Sequence, residues 1–308
     1  MQVEVAGTIQ VKHLEIKALI ADKNFLSGNH KLSDSIEDYP EGIIVPIDKP
    51  YRWTSADVIR KVKWAACRHF HKNNLKVGHA GTLDPLATGV LLVCIGKATK
   101  LAESLQKEGK EYLAGVSFGA TTPSFDLEKA IDHNYPINNV NRESILSVLP
   151  QFLGEQEQIA PLFSAKSVDG VRAYELARKQ YREAHKDKTE VLEDFDHTVA
   201  ETLNRQIINI SAMELVSFFP EGKPSGPRGE DEGLRPNPRI NVIDTSEMHL
   251  PLAEIRVECS KGTYIRALAR DLGETLGSGA HLNSLERTKS GGFRTEDCLS
   301  VNEIMSIL

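Results

Sequence analysis

The sequence predicts an α+β fold, and three observations support this. Apolar runs of strand length occur at residues 43–47 and 90–95, each bounded by turn-forming residues. Thr54 and Asp57 form a capping box at the start of a helix. Strands and helices then mix without a strict βαβ rhythm, which favours α+β over a doubly wound sheet.

Further elements follow from the same signals in chain order. Helices are expected at residues 99–106, 142–153, 173–181 and 263–276, with a final short one capped by Ser300 and Glu303. Strands are expected at residues 112–118, within 207–219, and at 252–259.

The expected organisation is one main domain over residues 41–297. Residues 1–40 are interpreted as an N-terminal extension of short strands or partial disorder, and residues 298–308 as a short C-terminal helix. The polar stretch 183–203 and the loop 220–247, rich in proline, glycine and charge, are interpreted as insertions.

Composition gives broad limits on the function. The 308-residue chain is 40% hydrophobic, has no apolar run of the roughly 20 residues that a membrane span needs, and lacks a signal-peptide pattern at its start. Its four cysteines are scattered, without the close pairs of a disulfide framework or a metal knuckle. The cytoplasm is therefore the expected location, with no membrane contact and no metal.

A basic helix face contrasts with the net charge of −6. No acidic residue occurs from residue 58 to residue 79. Helical spacing places one group of residues on a single face: Arg60, Lys61, Lys63, Trp64 and Arg68. This face is a candidate for contact with an RNA backbone, and a simply solvated face is the alternative.

A glycine-rich loop around Asp84 is the most informative segment. Residues 78–89 contain three glycines, and Pro85 stiffens the position after the aspartate. Such a loop presents a carboxylate to a ligand, although Asp-Pro pairs also cap ordinary turns. The loop contains neither of the glycine-rich patterns that bind phosphate groups, G-x-x-x-x-G-K-[ST] and G-x-G-x-x-G.

This segment resembles the active-site motif of the TruB family of pseudouridine synthases, in the string GHAGTLDPLATGVLLVCIGKATK. Four other stretches match family motifs in the same order. They are Lys49-Pro50, the Lys110-Glu111-Tyr112 segment, and the strings QIAPLFSAKSVDGVRAYELAR and CSKGTYIRALARDLGETLGSGAHLNSLERTKS. The resemblance implies the pseudouridine synthase fold, with a mixed, mainly antiparallel central sheet, flanking helices and a catalytic cleft.

The resemblance also implies roles for individual residues. Asp84 is the implied catalytic carboxylate, Arg266 the arginine that pairs with it, and Tyr112 the tyrosine that packs on the target base. His79 is expected to stack against T-loop bases, and Tyr264 and Leu285 to line the uracil pocket. The expected substrate- and RNA-binding residues are completed by Lys49, Arg60, Lys61, Lys63 and Arg68.

The implied reaction isomerises uridine 55 in the T-loop of tRNA, with base flipping and without a cofactor. Breaking and remaking a glycosidic bond needs no redox change, and an ionised carboxylate can hold the intermediate. We expect a monomer that binds the tRNA T-arm. The alternatives are an RNA-binding or tRNA-folding protein on the same scaffold, and a synthase for another RNA uridine.

Three departures from the family pattern qualify these expectations. One is added material, namely the N-terminal extension, the stretch 183–203 and the loop 220–247. These segments are either RNA contacts or neutral insertions, and the tolerance of loops for added length favours neutral insertions. The family's Q-x-P-P block reads Gln158-Ile159-Ala160-Pro161, and a lysine expected slightly later is Ser167, with Lys166 one place earlier. The sequence also ends soon after Gly292-Phe293, so we expect no C-terminal RNA-binding PUA domain.

Overall fold

The structure, a computed structural model, describes residues 10–11, 14–161, 167–168, 171–172, 205–222 and 234–308. The chain forms two compact units. The first comprises Met1–Leu113, Gly226–Ile240 and Leu285–Leu308, and the second comprises Ala114–Ser225 and Asn241–Ser284.

The described residues include six α-helices. They are α1 (Lys23–Ser27), α2 (Ser55–His69), α3 (Ala102–Lys107), α4 (Arg142–Val148), α5 (Ile265–Thr275) and α6 (Val301–Ile307). Short 3-10 helices extend this set at Ile36–Asp38, Gly96–Leu101, Leu149–Phe152, Ser246–Met248 and Thr295–Asp297.

Strands form most of the remaining regular structure. The first eight are β1 (Gln10–Val11), β2 (Leu14–Glu15), β3 (Leu19–Ile20), β4 (Ile43–Lys49), β5 (Val77–Ala80), β6 (Ala87–Ile95), β7 (Lys110–Phe118) and β8 (Ala120–Thr121). The others are β9 (His133–Asn134), β10 (Gly154–Ile159), β11 (Ser167–Val168), β12 (Val171–Arg172), β13 (Arg205–Phe219), β14 (Leu252–Cys259), β15 (Ala280–Ser290) and β16 (Phe293–Arg294).

Strand β6 is the centre of the first unit. All nine of its residues are buried, as expected for an apolar run covered on both faces. Antiparallel β4 lies along one edge of β6. The other edge pairs at one end with antiparallel β5 and at the other with parallel β15, where Leu285 is opposite Ala87. This mixture of parallel and antiparallel pairs confirms the expected mixed sheet.

Part of the N-terminal extension belongs to the core of the first unit. Strand β3 pairs in parallel with β4, and Ile16, Ala18 and Ile20 pack in a buried cluster with Leu92 and other residues of the unit. Burial of these apolar side chains stabilises the ordered extension.

Antiparallel pairing dominates the second unit. Strand β13 pairs with β10 on one side and with β14 on the other, with two register shifts along the β13–β14 pair. Helix α5 begins just after the turn that follows β14, and its buried side chains include Ile265, Leu268 and Leu272.

Several predicted elements are confirmed with small changes in their bounds. The Thr54–Asp57 and Ser300–Glu303 capping boxes are both formed. The predicted helix at 142–153 divides into α4 and a 3-10 turn, because Pro150 has no backbone N–H to continue the helical ladder. The predicted helix at 173–181 and the insertion 183–203 lie outside the described residues. No helix among the described residues is long and apolar enough to cross a membrane.

Candidate active site

The loop that carries Asp84 connects β5 to β6 in the first unit. A turn closes at the aspartate, because the Ala87 N–H donates to the Asp84 carbonyl at 3.1 Å. Asp84 and Pro85 are half-buried, whereas Leu83 and Leu86 are buried on either side of them. The two leucines anchor the loop while the carboxylate between them keeps access to solvent.

Arg287 is a fully buried support of this loop. Its Nε donates to the Val90 carbonyl at 2.7 Å, and its Nη2 donates to the Gly81 carbonyl at 3.1 Å. Val90 lies between the parts of β6 that pair with β5 and with β15, and Gly81 begins the aspartate loop. The planar guanidinium therefore ties the start of the loop to strand β6, into which the loop leads, through rigidly spaced donors.

Lys49, at the end of β4, supports the same loop from another direction. Its buried ammonium donates to the carbonyls of Pro50 at 2.8 Å, Trp53 at 2.6 Å and Pro85 at 3.2 Å. Burial lowers the pKa of Lys49 to about 7, and the nearby carboxylate of Asp84 opposes that shift. The geometry makes Lys49 a loop support, and binding of RNA by this residue stays a prediction.

Helix α2 holds the loop through its first residue. The Leu83 N–H donates to the Ser55 hydroxyl at 2.9 Å, and that hydroxyl donates to the Leu83 carbonyl at 3.2 Å. Both hydrogen bonds are buried. The residue next to Asp84 is thus fixed at both its N–H and its carbonyl.

His79 lies on β5 and favours its neutral form. Burial, with a smaller contribution from the charge of Arg287, lowers its pKa below the usual range. Its Nδ1 is buried and has no hydrogen-bond partner among the described residues. A neutral ring of this kind is suited to stacking, and stacking on RNA bases remains a prediction.

The other predicted residues of the first unit differ in exposure. Tyr112 on β7 is buried, and Leu285 on β15 is half-buried. The basic face of α2 is exposed as expected: Arg60, Lys61, Lys63, Trp64 and Arg68. The Arg68 guanidinium lies 4.7 Å from the centre of the Trp64 ring.

Tyr264 immediately precedes α5 in the second unit. Its N–H donates to the Gln158 side-chain oxygen at 2.9 Å, and the amide nitrogen of Gln158 donates to the Tyr264 carbonyl at 3.1 Å. The buried glutamine of the family's Q block therefore fixes the backbone that carries Tyr264. This role does not depend on the proline that the block has lost.

Arg266, two residues further on, is also buried. Its Nη1 donates to the Ser124 carbonyl at 3.1 Å, and its Nε lies 3.8 Å from the Asp126 carboxylate. Asp126 in turn accepts from the Ser124 hydroxyl at 2.7 Å and from the Glu128 N–H at 2.9 Å. The guanidinium is thereby oriented within its own unit, and its pairing with Asp84 remains a prediction.

Sequence reasoning missed Arg287, Ser55, Asp126 and Gln158 as parts of these networks. Their contacts join segments that are far apart in sequence, so local patterns give little sign of them. The only available signal was the position of Arg287 and Gln158 inside strings that match the family. Among the described residues, no group of three or more His, Cys, Asp or Glu side chains is arranged to hold a metal ion.

Gly89→Ala is expected to destabilise the protein by about 2–5 kcal/mol, because overpacking against a rigid backbone adds to the strain of a positive φ. Gly89 has φ +93°, and an added Cβ would lie 2.3 Å from the Arg287 carbonyl oxygen. Gly154→Ala is a matched control, because Gly154 has φ +90° but nothing within 4 Å of its Cβ position. The control should cost only about 1 kcal/mol in urea unfolding. Equal losses in the two variants would contradict the close approach at Gly89.

Lys49→Met is expected to remove a pH-dependent part of the unfolding free energy. Since the pKa of Lys49 falls from 10.5 to about 7 on folding, the unfolded chain binds more protons between these values. Wild-type stability relative to the variant should therefore rise with pH across that window, by about 1 kcal/mol per pH unit. The cost of burying the charge is fully present below pH 7 and absent above pH 10.5. Urea unfolding at pH 7, 8 and 9 measures the difference, with exposed Lys31→Met as control; a constant difference for Lys49→Met would refute the shift.

The fold has counterparts among solved structures. A chain in a Cbf5-Nop10-Gar1 complex superposes with a TM-score of 0.52 at 24% identity, covering 86% of this chain and 54% of that one. A chain in an H/ACA RNP bound to a substrate RNA containing 2'-deoxyuridine gives 0.51 at 23% identity, covering 86% and 53%. This chain thus spans about half of each. The likeness defines a class of fold that this chain shares with both of those chains.

Sequence comparison identifies the family within that class. Residues 68–211 match the TruB family pseudouridylate synthase N-terminal domain, and residues 266–308 match the tRNA pseudouridylate synthase B C-terminal domain. A tRNA pseudouridine synthase B of Phocaeicola vulgatus is 46% identical over 264 residues, 86% of this chain and 92% of the relative. One of Parabacteroides distasonis is 43% identical over 271 residues, 88% of this chain and 95% of the relative. The chain therefore belongs to the TruB family of pseudouridine synthases, which are isomerases.

Proposed function

We propose that this enzyme converts uridine 55 in the T-loop of tRNA to pseudouridine, with Asp84 as its catalytic carboxylate. The observation that carries the proposal is the string GHAGTLDPLATG, which surrounds a half-buried aspartate on a loop fixed by Arg287, Lys49 and Ser55. The relatives named tRNA pseudouridine synthase B support tRNA as the substrate.

The reaction needs an anion that is held in place. The N1–C1′ bond of the uridine breaks, the base turns, and a C5–C1′ bond forms. C5 then loses its proton and N1 gains one, so the product is an isomer of the substrate. Asp84 serves as the nucleophile that holds the intermediate while the base turns. The rigid loop keeps the carboxylate in reacting position, which lowers the entropic part of the barrier.

Other residues bind the base and direct protons. Tyr112 packs on the target base and assists proton movement during isomerisation, and Arg266 pairs with the Asp84 carboxylate. Tyr264 and Leu285 line the pocket for the uracil ring. Gln158 holds the backbone of Tyr264, and Leu285 lies on a strand that pairs with β6.

Access to a stacked T-loop uridine requires base flipping, which costs a few kcal/mol. Stacking of the neutral His79 ring on neighbouring bases offsets part of this cost. The exposed basic face of α2 adds contacts to RNA phosphates, and these contacts weaken as salt rises. Lys49 acts through the loop that it supports.

The reaction requires no cofactor, because the N1–C1′ bond that breaks and the C5–C1′ bond that forms both join atoms of the substrate. A tRNA substrate makes the cytoplasm the expected place of action. A single copy of the chain contains every residue to which a role is assigned, so the proposal includes a monomer.

A chemical footprint of the product tests the proposal. Purified protein is incubated with an unmodified T-arm hairpin, and the RNA is treated with carbodiimide and copied by primer extension. We expect a stop at the position that corresponds to uridine 55, and none when that uridine is replaced by cytidine. Binding without a stop would favour an RNA-folding protein, and a stop at another uridine would favour a different target.

A further inference from the structure

Part of the loop at 220–247 is docked on the first unit. This docked segment, residues 234–240, lies beside the turn between β4 and α2. Arg52 Nη2 donates to the Ile240 carbonyl at 2.8 Å, and Trp53 Nε1 donates to the Arg235 carbonyl at 3.2 Å. The Asn237 N–H donates to the Arg52 carbonyl at 3.1 Å, and Ile240 is buried. The docked segment therefore has a defined position on the surface of this unit.

One carboxylate joins the docked segment to the basic helix. Asp57 Oδ2 accepts from the Asn237 side-chain amide at 2.9 Å, and Asp57 Oδ1 accepts from the Arg60 guanidinium. Asp57 also caps α2 through its bonds to Thr54. Asn237 and the charged end of Arg60 are consequently neighbours, held by the two oxygens of one side chain.

The docked segment carries two arginines, at positions 235 and 239. Both are exposed, and neither forms an ion pair with any residue that the structure describes. They lie two residues to either side of Asn237, within about 7 Å of it along the backbone. Pro236 and Pro238 fix the intervening backbone, so little conformational entropy remains to be lost on binding. No acidic residue occurs between residues 234 and 243.

We propose that the docked segment extends the basic face of α2 and binds the phosphate backbone of the substrate tRNA through Arg235 and Arg239. The two arginines continue the exposed positive charge of Arg60, Lys61 and Lys63 across the start of the helix. A sugar–phosphate backbone fits this surface, because it offers regularly spaced anions to which guanidinium groups bind bidentately. This inference rests on the proposed tRNA substrate but not on the identity of the modified uridine.

The location explains why such contacts would aid the reaction. The start of α2 is the part of the helix that holds the Asp84 loop, through Ser55 and Leu83. RNA bound along this surface is held beside the elements that fix the catalytic carboxylate. The insertion then has a function in substrate binding, in place of the neutral role that loop tolerance favours.

The test compares two double variants that lose the same number of charges. Arg235→Ala/Arg239→Ala removes the proposed contacts, whereas Lys31→Ala/Arg142→Ala removes two other exposed cations as a control. Both are made with Asp84→Asn as well as in the active enzyme, so that binding is measured separately from catalysis. Affinity for an unmodified tRNA transcript is measured from 50 to 300 mM salt, a range over which phosphate contacts weaken strongly.

The first double variant should weaken binding about tenfold near 0.1 M salt and lower the slope of log affinity against log salt by about 2, one for each lost contact. KM should rise while kcat stays constant. Arg235→Lys/Arg239→Lys should keep the slope, because each lysine still neutralises a phosphate. An unchanged affinity and slope, or a loss equal to that of the control, would overturn the proposal. A fall in kcat at constant affinity would also overturn it, by showing that the segment acts through the loop.

Discussion

Asp84→Asn is expected to lower the rate of pseudouridine formation by at least about 10⁴-fold, as loss of an essential nucleophile does in other enzymes. The amide keeps the size of the side chain and removes the negative charge that the reaction needs. Affinity for tRNA should change less than about threefold, because the proposed phosphate contacts lie elsewhere. Single-turnover kinetics with a T-arm hairpin measures the rate, and filter binding measures affinity.

Asp34→Asn is the matched control for this variant. Asp34 is an exposed aspartate of the same unit, and its loss of charge should leave the rate unchanged. If Asp84→Asn kept more than about a tenth of the wild-type rate, Asp84 would have an orienting role and another group would be the nucleophile.

Arg287→Met should lower the unfolding free energy by about 2–5 kcal/mol, because two carbonyls lose a buried donor at a cost of about 1–3 kcal/mol each. The Gly81 and Val90 carbonyls would each lose their donor from Arg287. Because the loop would then shift, kcat should also fall by about 100-fold at temperatures where the variant is folded.

The conservative variant separates these two effects. Arg287→Lys retains the charge, but an ammonium cannot span the two carbonyls as the guanidinium does. It should recover part of the stability and little of the rate. Arg142→Met at an exposed position should change stability by less than about 0.5 kcal/mol. Full recovery of the rate by lysine would show that only the charge at position 287 matters.

Elements whose sequence signals lie within a few residues of one another could be predicted from the sequence. The capping box at Thr54 and Asp57 depends on residues three apart, and the apolar run of β6 is continuous, so both were predictable. The exposed basic face of α2 follows from helical spacing alone. The likeness of the Asp84 string to one family pointed to the fold and to the class of reaction.

The supports of the site were not predictable in the same way. Strand β15 alternates weakly between apolar and polar residues, and its pairing with β6 through Leu285 depends on contacts some 200 residues apart in the chain. Binding of RNA by Lys49 stays a prediction, but the burial of its ammonium against three carbonyls was not predicted. A lysine in a short Lys-Pro motif gives no sign of burial, because lysines are rarely buried. The docking of residues 234–240 likewise depends on partners about 180 residues away.

Release of the C5 hydrogen from a single uridine tests the central claim most directly. A T-arm hairpin is prepared with tritium at C5 of uridine 55 alone, and C5 must lose this atom when it bonds to C1′. Wild-type enzyme should release one tritium per hairpin, while Asp84→Asn should bind the hairpin and release none. Release by Asp84→Asn at the wild-type rate, or no release by wild-type enzyme that binds the hairpin, would contradict the account.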